Sequence, residues 1–341
     1  MAKGKVLVFS GASALSLALA MALAGCASWG DDVSVDVASF TNRSLLQAVT
    51  RITDDGMLKS HPAVAPDGSK LLYTEIKADT GESNIMLLRN VNSSAKTPLV
   101  TTGNAYTPGW FGDSTRFLYS LEERDSSRIV RSSSAGGGRT NITRNPVGGA
   151  DMFPAIRDGV ILIQTWEGGA WRIYSMRENG SEITRLGDGF DPAWHPYDLK
   201  FLYVKGNPSG IWEMDLATTQ ETLLYDMPPF NIRRPQYTAD GRFIVFQRGS
   251  EQMVSGVQVT GTKGFFGNLI KSTFTNTSGT EVRWQLFSIT SDGMNESVLT
   301  EGNVDCYWPT LDVDNNLYFI SNATGVNSNK TEIYKARLNF E

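Results

Sequence analysis

The sequence predicts an all-β fold, a six-bladed β-propeller of four-stranded blades, its ring closed by an N-terminal strand at about residues 49–53 that completes the last blade. Three observations carry this. Proline recurs at Pro62, Pro108, Pro154, Pro192, Pro235 and Pro309. A turn signal follows each one: Asp67-Gly68, Asp113-Ser114, Asp158-Gly159, Asp198, Asp240-Gly241 and Asp314-Asn315. Behind each turn lies an apolar run: Leu71 to Tyr73, Phe117 to Tyr119, Ile161 to Ile163, Phe201 to Tyr203, Phe243 to Val245 and Leu317 to Phe319. Self-similarity at a period of roughly 40 residues marks a propeller or a solenoid.

Each repeat reads as a first strand starting at the proline, with an apolar residue two places on (Val64, Trp110, Ile156, Trp194, Tyr237, Leu311). The Asp-Gly-type turn suits a tight hairpin into the second strand. A third strand follows at Ile85-Met86, Ile129-Val130, Ile173-Tyr174, Ile211-Trp212, Leu286-Phe287 and Ile333-Tyr334. A short fourth strand precedes the next proline at 97–101, 140–143, 183–186, 222–224 and 297–300. The sixth unit reaches Glu341 without one, whereas Val49 to Thr53 carries the same pattern ahead of the first proline. Pairing that strand with the last sheet removes two exposed edges.

The repeat resembles the propeller of TolB and of the prolyl oligopeptidase family, over roughly residues 49–338. Pro62 to Lys70 and Pro235 to Gly241 carry the likeness. The resemblance implies the fold strongly and the function weakly. TolB also has an α/β domain ahead of its propeller, where this sequence has only a short linker, and TolB is a soluble periplasmic protein.

Residues 1–25 read as a signal peptide: Lys3 and Lys5, an apolar run to Ala24, then Leu23-Ala24-Gly25-Cys26, which resembles a bacterial lipobox. The resemblance implies cleavage before Cys26, lipidation of that cysteine and attachment to a membrane. Ala27, where an aspartate favours inner-membrane retention, points to the outer membrane. Residues 26–44 are then a lipidated linker, and 45–341 the propeller. The net charge of −5 becomes −7 once Lys3 and Lys5 are removed. That charge excludes nucleic acid as a partner, because phosphate neutralisation needs clustered cations. Once Cys26 is acylated, Cys306 has no disulfide partner, and its strand context predicts a buried small hydrophobe.

Residues able to carry catalysis are scarce. No Gly-x-Ser-x-Gly pentad occurs, and the propeller leaves no length for a hydrolase domain. His61 and His195 are the only histidines, and both occupy repeat positions. Asp312 to Asn316 has a calcium-loop look, but the twelfth position is Ala323, where a bidentate glutamate is required. It reads as a hairpin turn. No enzyme activity, cofactor or metal is expected.

Recognition features remain. Connections from fourth to first strands carry Asp54, Asp55, Asp151, Asp188, Asp191, Asp226 and Asp305, with Arg233 and Arg234 as the exceptions. They read either as an acidic rim for a basic peptide or cation, or as turn-forming aspartates. The spacing between successive prolines is 46, 46, 38, 43 and then 74 residues. The excess is an insertion at about 249–283 holding Phe265, Phe266, Leu269 and Ile270 among glycines. Partner contact, an added packed hairpin and a flexible loop all remain open for it. The expected function is that of a monomeric, non-enzymatic, lipid-anchored envelope protein that binds another envelope protein. The alternative is a glycan-binding protein, hydrolase or lyase using the channel mouth.

Overall fold

Six antiparallel four-stranded sheets, each with its strands in the order first-second-third-fourth, follow one another along the chain. The computed structural model describes residues 36–77, 80–123, 126–249, 284–302, 304–324 and 330–340. The signal sequence, Cys26, and the insertion with Phe265, Phe266, Leu269 and Ile270 lie outside the described residues. Blade 1 is built from Leu58–Val64, Leu71–Ile76, Ser83–Leu88 and Lys96–Val100. Blade 6 combines Cys306–Leu311, Asn316–Ser321 and Glu332–Leu338 with Leu46–Arg51 from the N-terminal side. Ring closure by an N-terminal strand therefore holds. The strand pairs antiparallel with the last one, Leu46 opposite Leu338 and Arg51 opposite Tyr334.

The second strands read as continuous apolar runs because each blade is covered on both faces by its neighbours. Strands buried on two sides lose the alternation expected of a half-exposed sheet. Leu71, Leu72 and Tyr73 are all fully buried, as are Phe117, Leu118 and Tyr119. Between blades 1 and 2, Leu72, Ile85 and Leu87 pack against Trp110, Phe117, Tyr119 and Val130. Trp110 and Trp194 also stitch blades together, their indole N–H groups donating to Ala63 O (2.8 Å) and Ala155 O (3.1 Å).

Three boundaries differ from the sequence reading. The closing strand spans Leu46–Arg51 rather than about 49–53. First strands begin two to four residues before the proline, not at it: blade 3 opens at Asp151 and blade 5 at Asn231. Packed structure also begins earlier than residue 45. Phe40 is buried against Tyr334, and Asn42 N donates to Leu299 O, fastening the N-terminal segment across blades 5 and 6.

The closure seam is clamped by a buried lysine. Lys59, fully buried, lies 3.0 Å from Glu332 and is paired with Asp55. Its ammonium also donates to the carbonyls of Met57 and Thr331. Glu332 in turn accepts from Thr53 Oγ1 and Gly56 N. Lys96 reaches both Asp55 and Glu75. Burial works against ionisation of Asp55, but hydrogen bonds from Lys59 and Lys96 outweigh it and lower its pKa to about 2.

Candidate functional site

In every blade the register between the first and second strands slips across the proline and the residue before it, from Ser60/Ala63 in blade 1 to Tyr307/Thr310 in blade 6. A first strand is the free inner edge of its blade, where proline's missing N–H costs no ladder bond. The slip forms a bulge. The pre-proline residues are His61, Thr107, Phe153, Asp191, Arg234 and Trp308, and all six have left-handed backbone, with φ between 47° and 55°. Non-glycine residues seldom hold this conformation without the surrounding structure fixing it.

These six side chains converge on the propeller axis. Phe153 of blade 3 meets His61 of blade 1 (5.2 Å between centroids) and the guanidinium of Arg234 of blade 5 (4.5 Å). His61 also packs on Trp308 of blade 6 at 4.5 Å. Contacts between blades that are not neighbours require the side chains to meet at the centre. Second-strand amides support the bulges from the preceding blade: Gln164 Oε1 accepts from Asp191 N, and Gln247 Oε1 from Trp308 N.

Above this plug, on the side of the first-to-second-strand turns, a funnel of about 610 Å³ opens. Its floor includes Thr107, Phe153 and Arg234. Its wall includes Trp110, Trp194, Tyr237 and Arg157, and its rim His195, Tyr197 and Val313. Arg157 lies over the Trp194 ring at 5.0 Å and hydrogen-bonds the carbonyl of His195. Asp312, also on the lining, is spent on its own hairpin, where it accepts from Asp314 N, Asn316 N, Asn316 Nδ2 and Tyr318 OH.

The aspartates of these connections divide into exposed residues (Asp54, Asp55, Asp188 and Asp226) and buried ones. Asp151, Asp191 and Asp305 are buried rather than presented at a mouth, because their carboxylates serve as internal acceptors. Asp151 accepts from Val147 N, Gly148 N and Thr165 Oγ1; burial raises its pKa against these bonds. Asp305 accepts from Trp284 N and Asn322 Nδ2. Asp191 Oδ2 accepts from Arg233 Nε (2.8 Å) and Arg234 N (3.1 Å). Burial opposes its charge, yet the two guanidiniums prevail and hold it below the usual carboxylate range. Arg233 and Arg234 are themselves mostly buried, with side chains 19% and 17% exposed.

Both histidines are built into the fold. Burial, with Arg234 nearby, pushes the His61 pKa well down, and its Nδ1 lies 2.8 Å from Ser60 Oγ. His195 Nδ1 accepts from Tyr197 N and Asp198 N, and burial lowers its pKa. Cys306 is fully buried and its thiol is pushed up to about 12, as suits a packing residue. Among the described residues, no group of three or more His, Cys, Asp or Glu side chains comes together in a way that could hold a metal. Sequence reasoning singled out Asp191, Arg233 and Arg234 but missed Thr107, Phe153 and Arg157. The available signal for the first two was their place immediately before a repeat proline.

No protein-family model matches the chain, and no curated protein matches it in sequence. Solved structures do match in fold. A protein from Agrobacterium tumefaciens assigned as TolB superposes with a TM-score of 0.56 at 16% identity, covering 83% of this chain and 91% of that one. TolB from Acinetobacter baumannii gives 0.53 at 13% identity, over 80% of this chain and 64% of that one. A gluconolactonase from Xanthomonas campestris gives 0.57 at 13% identity, over 90% and 94%. At these identities the likeness is one of fold. The chain is a six-bladed propeller similar in fold to TolB, and the same architecture also carries enzymes.

Proposed function

We propose that this protein is a non-enzymatic binding module of the bacterial cell envelope, anchored to the outer membrane by lipid on Cys26. One observation carries the binding-module reading. The groups best suited to acid–base or metal chemistry (His61, His195, Asp151, Asp191, Asp305) are occupied in hydrogen bonds or ring packing that hold the blades and their bulges. What the fold presents outward among the described residues is a funnel; the insertion that the sequence offers as a second recognition feature lies outside them. The fold likeness to TolB is consistent with an envelope protein as partner. The anchor rests on Leu23 to Cys26 after a basic start and an apolar run.

Membrane fractionation with lipid labelling tests the anchor. Cys26→Ser is expected to abolish labelling and release the chain from membranes; unchanged membrane association overturns it. The partner reading is tested by crosslinked capture from envelopes with the wild type and with Phe265→Ser/Phe266→Ser. The variant is expected to keep its thermal stability and lose the captured envelope protein. A large stability loss would instead make the insertion part of the packed fold.

A further inference from the structure

The floor of the funnel holds a cation whose hydrogen-bonding capacity is unspent. A guanidinium carries five N–H donors in a planar fork, and burying a charge is unfavourable unless partners replace water. The side chain of Arg234 is 83% buried (17% exposed), yet among the described residues its guanidinium has one carboxylate partner, Asp191, and no well-aligned hydrogen bond. Its Nε is enclosed and unpartnered. The nearest carboxylate oxygen, Asp191 Oδ1, is 3.5 Å from Nη1, close enough for an ion pair but not aligned for a hydrogen bond. Asp191 instead turns its other oxygen to Arg233 Nε and to the backbone of Arg234. The Arg234 guanidinium lies over the Phe153 ring, 4.5 Å from its centroid, and both residues line the funnel.

We propose that the funnel is a carboxylate-binding site in which Arg234 is the anchoring cation. One guanidinium presents one positive charge and a planar pair of donors, which matches a carboxylate monoanion in charge and shape. A cavity of about 610 Å³ holds a small organic acid or the last residues of a peptide. Tyr197, 70% exposed on the rim, and Val313, 57% exposed, offer apolar surface to atoms flanking the carboxylate. The surrounding chain is acidic, with a net charge of −5, so the positive floor is a local reversal of the protein's overall charge. The site recognises an anion, whereas a cation or basic peptide was one of the two readings the aspartate-rich connections offered. This inference rests on the binding-module reading and supplies its ligand class. It does not depend on lipid at Cys26, since an anchoring failure in Cys26→Ser leaves the titration below unchanged.

The test is calorimetric titration of the detergent-solubilised full chain with benzoate, its neutral isostere benzamide, and a hexapeptide as free acid and as C-terminal amide. Saturable binding of benzoate and of the free-acid peptide, but of neither neutral counterpart, is expected. Arg234→Met is expected to weaken binding about tenfold or more while leaving the melting temperature unchanged or raised, since Asp191 keeps its bond from Arg233. Arg234→Lys retains part of the affinity. More than about tenfold preference for the free-acid peptide over benzoate assigns the carboxylate to a chain terminus, and smaller preference to a small acid. No saturable binding of either acid, or undiminished binding in Arg234→Met, overturns the proposal. So does a fall of more than about 10 °C in the melting temperature of Arg234→Met that Arg234→Lys restores, because Arg234 would then be a structural cation.

Discussion

Two buried charge clusters in this propeller follow opposite designs. At the closure seam Lys59 has no exposure, and its ammonium meets Asp55, Glu332 and the carbonyls of Met57 and Thr331. At the axis Arg234 is nearly as deep, yet among the described residues its guanidinium meets a misaligned carboxylate oxygen at 3.5 Å and the face of Phe153. Buried charges survive when desolvation is offset by matched partners. The seam meets that condition from within the chain, which suits a joint that must stay shut. The axis leaves it to be met from outside. Full satisfaction marks a clamp, and an under-satisfied cation facing a cavity marks a receptor.

The comparison can be broken in several ways, starting with the largest effect. Deleting residues 45–54 removes the strand that completes blade 6 and opens the ring. Loss of the single cooperative thermal transition is expected by calorimetry, and local fraying alone would contradict the closure. Lys59→Met strands Glu332 and Asp55 without their shared cation and is expected to cost about 3–5 kcal/mol, read as a drop of roughly 10 °C in melting temperature. Asp191→Asn removes the carboxylate that Arg233 and Arg234 share, and is expected to cost about 3 kcal/mol in chemical denaturation. Arg234→Met should cost little or nothing by the same measurement, so the Asp191 and Arg234 variants must part ways. Equal losses would make the axial cluster a clamp like the seam.

Acid titration sharpens the seam side. The pKa of Asp55 is lowered from its ordinary 3.8 to about 2. Its contribution is therefore fully present above about pH 4 and is lost as pH falls towards 2. Given its partial exposure, the effect is on the order of 1 kcal/mol. Asp55→Asn should remove that part of the stability-versus-pH curve and leave the rest. An unchanged curve would place the acid sensitivity elsewhere.

The blades were legible because they are local. Each hairpin signal and each apolar run lies within one repeat, and the missing fourth strand of the sixth unit could be counted and matched to residues 49–53. First-strand starts were misplaced because the proline sits at a bulge inside the strand, where the pairing register slips. The aspartates left two readings open for a related reason. A turn aspartate and a buried structural acceptor such as Asp151 or Asp305 have the same local spelling, and only the neighbouring blade decides between them. Phe153 and Thr107 gave no sign of sharing a floor with Arg234, since they come from three different blades and meet only at the axis.

By itself the sequence determined the number of blades, the residues that fill them and the strand that shuts the ring, because those follow from periodicity and hairpin chemistry within short stretches. The tertiary structure alone decided which charges are satisfied and which way the cavity opens. Both depend on six bulged, left-handed pre-proline residues, some 40 residues apart along the chain, brought face to face by closure of the ring.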